Sequence, residues 1–404
     1  MTTFEPSVVE LFVGPEARRV DVFDRYTVDL SMLEVGAAFN LSFWYSEASR
    51  ETPWRALVDR ARGVKCGDLV TFAVDGDAVL SGVVETRDVG DEEGRDGPDF
   101  MVSGRDLLGG AVSFDADPTL TLAGRRLEDA LDALYRGVGV VAEVSESIPP
   151  EARVGALRRP RRGAFGRRAS RTDLTRVKHP RVGEKVQQVV SRIVRGLGYR
   201  VWTTPAENSG RTAVVVDRPR ASGEVLFTLS RVLDEDRRVV ASSNILGGRE
   251  RTSIADVPTE VTVFADAPRG DTAGAKIART VTNGFLLTPE ASARVSDDAP
   301  PRPRFVESRS ARTPEAAHNE AARVCAQANE GFRRYTATVL GHRQNGRLWV
   351  PNNRVAVRDD LVGVDETMLL VAVTLDGSKA GSQKTRLTLV PEGALHELPE
   401  VEAT

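Results

Sequence analysis

Residues Tyr335–Leu395 read YTATVLGHRQNGRLWVPNNRVAVRDDLVGVDETMLLVAVTLDGSKAGSQKTRLTLVPEGAL. Apolar and polar side chains alternate through Tyr335–Leu340, Arg354–Val357, Met368–Leu375 and Thr385–Val390. That period of two belongs to strands with one packed face and one solvated face. Pro351 and Asn352-Asn353 form a turn after Trp349. The run predicts the closing strands of an antiparallel β-barrel, and no catalytic pattern lies within it.

The first hundred residues carry the same grammar. Short apolar strands are predicted at Val8–Val13, Val20–Met32 and Ala38–Tyr45. Leu69–Val74 then runs into Asp75-Gly76-Asp77 and out to Thr86. Asp-Gly tolerates the positive φ that a tight hairpin demands. Asp88–Asp99 is acidic and glycine-rich and reads as a solvated loop, and Phe100–Leu108 resumes a strand. The hairpins at the two ends echo each other, Leu69–Val74 with Val79–Val84 and Val355–Val357 with Leu369–Leu375, which hints at duplication.

The period changes in the middle. Leu127, Ala130, Leu131, Leu134 and Tyr135 recur at helical spacing, with Gly137 as the C-terminal cap, and Val138–Val144 follows as a strand. Val186, Val189, Val190, Ile193, Val194 and Leu197 repeat the pattern, ending at Gly196 and Gly198. A hairpin of Tyr199–Thr203 and Thr212–Val216 closes this α/β unit. Between its halves lies Glu151–Pro180, rich in arginine and poor in apolar residues. Arg158, Arg159, Arg161, Arg162, Arg167, Arg168 and Arg171 are its candidate contacts with a partner or with DNA. Three readings compete for it: a solvated loop, a loop that orders against an acidic protein, and a DNA contact. A single aromatic, Phe165, argues against base stacking.

After Leu226 the chain returns to strands, and Glu260–Phe264 alternates cleanly. Asp271–Arg304 is rich in Gly, Ala, Pro and Asp and is read as an irregular excursion. Thr313-Pro314-Glu315 then opens a helix, with Thr313 at the N-cap and Pro314 at the first helical position. Its apolar stripe, Ala317, Ala321, Val324, Cys325, Ala328 and Phe332, is mostly alanine. It demands close packing, expected against the sheet that follows.

The chain thus divides into a β-barrel over residues 1–117, a small α/β domain over 118–220 with its Arg-rich loop at 151–180, a second β-barrel over 221–396 and a C-terminal tail at 397–404. The second barrel carries the excursion at 271–304 and a helix at 314–332. The fold class is α+β, mainly β: two antiparallel β-barrel domains with a small α/β domain between them.

Composition narrows the function. The 404 residues are 41% hydrophobic and 6% aromatic, with a formal net charge of −3, which excludes a generally basic nucleic-acid binder. Two cysteines, Cys66 and Cys325, form neither a CxxC pair nor a disulfide framework. The four histidines, His179, His318, His342 and His396, show no ligand spacing, so no metal or other cofactor is expected. The N-terminus lacks the pattern of a signal peptide, and no apolar run of about 18 residues occurs, so no membrane insertion is expected.

Catalytic motifs are missing: no GxSxG, no HExxH, no GxxxxGK[ST]. Gly377-Ser-Lys-Ala-Gly-Ser-Gln-Lys-Thr has the wrong spacing for a phosphate loop and reads as a hairpin turn. Glu34, Asp106 and Glu184 are carboxylates without motif context. Arg105-Asp106, at a strand end, reads as a turn and charge pair more readily than as a ligand site. Trp349, Pro351 and Asn352 are the candidate subunit interface. An exposed Trp349 would be a hot spot, although in such a strand tryptophan is more often half-buried.

An ordered set of motifs resembles the baseplate hub proteins of Mu-like contractile-tailed phages, the tail protein D-like family. They are Val13-Gly14 leading to AAFNLSF (Ala37–Phe43), GDLVTFAVDGDAVLSGVV (Gly67–Val84) and VSGRDLLGGAVSF (Val102–Phe114). LYRGVGVVAEV (Leu134–Val144), VGEKVQQVVSRIVRGLGYRVW (Val182–Trp202) and the run Gly341–Val390 follow. The Arg-rich loop and Asp271–Arg304 depart from the pattern.

The resemblance implies a homotrimeric ring of two similar barrels per chain that joins a sixfold tail tube to a threefold central spike. Its channel would pass tape-measure protein and, transiently, DNA. The implied partners are the spike, the tail tube or tube-initiator protein and the baseplate wedge proteins. The implied location is the tail baseplate of a virion made in the host bacterial cytoplasm. It implies no enzyme activity and no catalytic residues. The alternatives are a tail-associated cell-wall hydrolase and a nucleic-acid-binding protein that uses the Arg-rich loop.

Overall fold

A computed structural model describes residues 7–14, 17–20, 25–34, 36–44, 63–90, 99–136, 138, 140–144, 153–154, 173–175, 179–194, 200–205, 212–217, 219–220, 223–240, 243–266, 276–296, 298–308, 314–378 and 382–395. The N-terminal part holds strands β1 (Val9–Val13), β2 (Arg18–Val20), β3 (Arg25–Ser31), β4 (Ala38–Trp44), β5 (Leu69–Val74), β6 (Asp77–Gly90) and β7 (Asp99–Asp106), then helix α1 (Leu107–Ser113). The turn between β5 and β6 has Asp75 at φ 53° and Gly76 at φ 86°, the left-handed pair that the Asp-Gly sequence calls for. Asp106 fixes the end of this part. Its carboxylate accepts the Gly109 N–H at the start of α1 and the Ala37 N–H ahead of β4, each at 2.7 Å. Arg105 turns outward to Glu85 at 2.8 Å, so Arg105-Asp106 is a structural corner.

The middle part holds α2 (Leu127–Leu134), β8 (Val140–Val144), β9 (Arg153–Val154), β10 (Asp173–Thr175), α3 (Val186–Val194), β11 (Arg200–Pro205) and β12 (Thr212–Asp217). β12 pairs antiparallel with β11 and parallel with β8. The apolar stripes of α2 and α3 bury on this sheet in a core of their own. Glu184 is bound to Arg192 and accepts the Arg181 N–H, a structural role. Gly137, Gly196, Leu197 and Gly198 lie outside the described residues.

The C-terminal part opens with β13 (Val225–Arg231) and β14 (Ile245–Thr252). A peripheral unit follows: β15 (Glu260–Asp266), β16 (Lys276–Thr282), a 3-10 turn at Gly284–Leu287, α4 (Pro289–Ser292), β17 (Pro303–Ser308) and α5 (Pro314–Asn329). The chain ends with β18 (Arg333–Leu340), β19 (Arg343–Gln344), β20 (Arg347–Leu348), β21 (Asn353–Asp359), β22 (Val364–Ser378) and β23 (Lys384–Pro391).

Two expectations change here. The stretch 271–304 is not wholly irregular: it contributes β16, whose alternating Ile277, Arg279 and Val281 pair with β15. The alanine stripe of α5 packs backward on β15 and β16 rather than on the strands that follow. Ala317 and Ala321 are fully buried against Val261 and Val263, which themselves have no exposure.

The strands of the two ends join in one thirteen-stranded sheet. Its path runs β14-β18-β23-β22-β3-β4-β7-β6-β5-β1-β2, with β21 and then β13 branching from β22. The cause is the length of β22. Its first half pairs with β21, and from Ala372 onward it outruns β21 and pairs antiparallel with β3. No closed barrel forms among the described residues. β13 and β14 share no ladder: Asn244 bridges them, taking the Ser230 N–H on its side chain at 2.8 Å and donating its amide to the Thr228 carbonyl at 2.8 Å. One core lies under the whole sheet, from Leu11, Phe39 and Phe72 to Phe227, Tyr335 and Leu387.

Candidate assembly surface

The β3–β22 junction is where the two ends of the chain become one body. Tyr26 on β3 sits opposite Gly377 on β22, and a Cβ at Gly377 would lie 2.6 Å from the tyrosine ring. Glycine is required there because the ring crosses the neighbouring backbone. The Tyr26 hydroxyl reaches His342 Nε2 at 2.7 Å, and His342 Nδ1 lies 2.9 Å from Thr385 Oγ1. Thr385 donates its own hydrogen to the Gly341 carbonyl, so it accepts from His342 Nδ1–H. His342 Nε2 therefore accepts from Tyr26, and the imidazole is neutral. Burial pushes its pKa down to about 4, against the pull of Asp75.

The rest of the junction is tied by charge. Arg343 binds Asp75 Oδ2 at 2.9 Å, Asp77 Oδ2 at 2.5 Å and the Val74 carbonyl at 2.8 Å, which locks the β5–β6 turn onto β19. Gln383 closes a two-way clasp on the backbone of Ser7, at 2.7 and 2.6 Å.

The sheet's other face is polar over part of eight adjacent strands, while Leu369 and Val371 on β22 and Val390 on β23 bury there in a separate apolar cluster with Met32 and Trp202. Core residues alternate with Arg249 and Arg251 on β14, Arg334, Thr336 and Thr338 on β18, and Lys384, Arg386 and Thr388 on β23. The pattern continues through Thr374 and Asp376 on β22, Thr27 and Asp29 on β3, Asn40 on β4, Ser103 on β7, and Thr86 and Asp88 on β6. The register aligns these side chains in rows: Thr338, Arg386, Thr374 and Asp29 form one, Lys384, Asp376, Thr27, Asn40, Ser103 and Thr86 the next. All are half-buried or exposed. A sheet packed on one side and solvated on the other has this composition.

The candidate interface turn sits elsewhere. Trp349 is 1% exposed and stacks on Phe227 with ring centroids 4.3 Å apart. It is a core residue, not an exposed hot spot, and its indole N–H has no acceptor among the described residues. Asn352, at φ 63°, accepts the Arg220 N–H at 2.9 Å, and Asn353 takes the Arg220 guanidinium at 2.9 Å. The turn clamps the segment that enters the second β-region, and Pro351 keeps only partial exposure. Arg158, Arg159, Arg161, Arg162, Arg167, Arg168 and Arg171 lie outside the described residues. The strands that flank them, β9 and β10, pair parallel.

Sequence reasoning missed a buried ionic cluster. Arg231 grips Asp359 through two bonds, at 2.8 and 2.6 Å, and the Tyr335 hydroxyl donates to the same carboxylate at 2.6 Å. Burial works to raise the Asp359 carboxyl, but the bonds from Arg231 and Tyr335 outweigh it and hold it below the usual carboxylate range. Beside it, the fully buried Arg333 binds Glu250 and lies 2.5 Å from Glu366, while Arg294 adds a second bond to Glu250 at 2.9 Å. These are structural braces. No group of three potential metal-ligating side chains occurs among the described residues. No described helix is long and apolar enough to cross a membrane.

Comparison with known proteins places this geometry. A family profile described as "Tail protein, C-terminal domain" matches residues 330–394. No curated protein matches the chain. The tail protein from Neisseria meningitidis MC58 superposes with a TM-score of 0.69 at 22% identity, over 98% of this chain and 100% of that one. The 43 kDa tail protein of prophage MuSo2 from Shewanella oneidensis gives 0.70 at 18% identity, over 96% and 99%. A chain of the Francisella PdpA–VgrG complex gives 0.52 at 8% identity, over 100% of this chain and 61% of that one. At these identities the likeness is one of fold. Residues 330–394 thus carry the sequence of a tail-protein domain, and the chain as a whole has the fold of phage tail proteins, in keeping with the phage tail and baseplate family that its motifs resemble.

Proposed function

We propose that this protein is the structural hub of a contractile phage tail or a tail-like injection system. Three copies form a ring that joins the sixfold tube to the threefold spike and surrounds the central channel. The observation that carries the reading is the polar face of the large sheet. Eight adjacent strands present threonine, serine and asparagine with charges of both signs, and the opposite face packs into the main core. Such a wall suits the passage of protein and DNA, because scattered charges of both signs give no continuous track for phosphates.

On this reading, segments 1–117 and 221–396 build the ring and 118–220 is carried between them. Pro351 is the part of the Trp349–Asn352 turn that reaches a neighbour. The Arg158–Arg171 tract meets an acidic partner protein or DNA. The spike, the tube or tube-initiator protein, the tape-measure protein and the wedge proteins are the partners, and the protein acts in the tail of the virion without enzymatic activity.

Light scattering on the purified chain tests the ring. The expected mass is about three times 43.8 kDa. A monomer at every concentration, with no trimer when spike protein is added, would remove the reading.

A further inference from the structure

Among the open strand edges of the large sheet, two carry opposite charges. β5 pairs with β6 only as far as Val83, whereas β7 follows β6 to Gly90. The outer edge of β6 beyond that point therefore has no partner strand among the described residues, and Glu85–Gly90 are all exposed. Val89, on the core side, is 55% exposed, and the Arg87 guanidinium lies over the Phe100 ring at 5.1 Å as a makeshift cover. On the polar side Asp88 has no ion-pair partner among the described residues, and the sequence continues with Asp91-Glu92-Glu93.

The second is β14, a terminal strand of the path, whose outer edge shares no ladder with β13. Its polar side carries Arg249 and Arg251, both exposed and neither paired with a carboxylate among the described residues. Arg251 stands directly opposite Arg334 on β18, a cross-strand pair of like charges. Like charges placed opposite each other destabilise a sheet. Leu246, on the same strand, is 54% exposed. A long, open, partly apolar edge is a template for another strand, and folded proteins normally block it.

We propose that β14 of one copy adds to the Thr86–Gly90 edge of β6 in the next copy, and that this head-to-tail pairing closes the ring. The inference rests on the ring reading above and names its contact. The added strand covers Val89, sets Asp88 among the arginines of β14 and relieves the Arg251–Arg334 repulsion. A contact between two different surfaces generates a closed ring when its rotation closes.

Charge reversal tests the pairing, with mass read by light scattering over a dilution series. Asp88→Arg alone, and Arg249→Glu with Arg251→Glu, should each weaken assembly about tenfold or more. Combining the reversals should restore it. A second measurement covers variants that fold poorly: Asp88→Cys with Arg251→Cys, on a Cys66→Ser background because Cys66 is exposed, should give disulfide-linked multimers on oxidation. The two positions are separated by six intervening strands of one sheet, so the bond should form between copies. A wild-type ring that is unmoved by either reversal and yields no cross-link overturns the edge pairing and leaves the ring reading standing. A wild type that never assembles overturns both.

Discussion

His342 accepts a hydrogen bond from Tyr26 across 316 positions of sequence, at 2.7 Å, inside the junction that makes one sheet of the two ends of the chain. Every polar atom of the imidazole is engaged in its neutral form. Protonation would set an N–H against the Tyr26 hydroxyl hydrogen, and the facing groups are Tyr26, Thr385 and, further out, Asp75. The folded pKa, about 4, lies below the ordinary value of 6.5. Between those two values the unfolded chain binds the extra proton. The contribution of His342 is therefore complete above about pH 6.5 and is lost as pH falls toward 4, about 3 kcal/mol in all. Urea unfolding at pH 7.5 and 4.5 reads this directly. His342→Gln should be about 1–3 kcal/mol less stable at pH 7.5 and show a flatter pH dependence than wild type. Equal slopes in the two proteins would contradict the assignment.

The Arg231–Asp359 pair predicts a larger effect. Both side chains are buried, and Asp359 also holds Tyr335. Asp359→Ala strands a guanidinium inside the protein and should cost about 3–5 kcal/mol. The same cluster explains Gly248. A Cβ there would lie 2.7 Å from Arg231 Nη2 and 2.7 Å from Tyr335 Oη, and nearer still to Asp359. Gly248→Ala should cost about 1–3 kcal/mol by overpacking. Gly247→Ala, next to it and with nothing within 4 Å, should be close to neutral. Denaturant midpoints of the three variants decide, and similar losses for Gly247→Ala and Gly248→Ala would refute the packing account.

What was legible in the sequence was local. Asp75-Gly76 announces its turn through φ alone, and Pro314 opens α5 at its first helical position, while the expected N-cap Thr313 lies outside the described residues. The union of the two β-regions was not legible. It depends on contacts such as Thr374 with Asp29, 345 positions apart, and alternation in β22 does not say which strand its second half will meet. His342 and Arg343 stand in the stretch that decides the fold, yet their roles are set by Tyr26 on β3 and Asp75 in the β5–β6 turn, far away in sequence. Trp349 shows the converse: its type suggests a hot spot, and Phe227 claims it for the core.

Asn352 does two things, and substitutions separate them. Its backbone sits at φ 63°, and its side chain accepts the Arg220 N–H. Asn352→Gly keeps the backbone and loses the bond, while Asn352→Ala loses the bond and strains the backbone. Ala should therefore be the worse of the two by about 1 kcal/mol. Thermal unfolding measures the order. If Gly is as damaging as Ala, backbone conformation is not what selects asparagine.

The last prediction concerns the peripheral unit. α5 meets β15 and β16 through alanines because larger side chains would hold the helix off the sheet. Ala321 is fully buried, in the same cluster as Val261, Val263 and Cys325. Ala321→Leu should cost about 1–3 kcal/mol, since the extra atoms have no space to enter. Ala321→Gly should cost about 1 kcal/mol through helix propensity alone. The unit has its own core, separate from the one beneath the large sheet. Amide exchange in the leucine variant should therefore accelerate in β15 and β16, while protection around Tyr26 and His342 is retained. Uniform acceleration across both regions would show that the unit and the large sheet unfold as one, and would reject its independence.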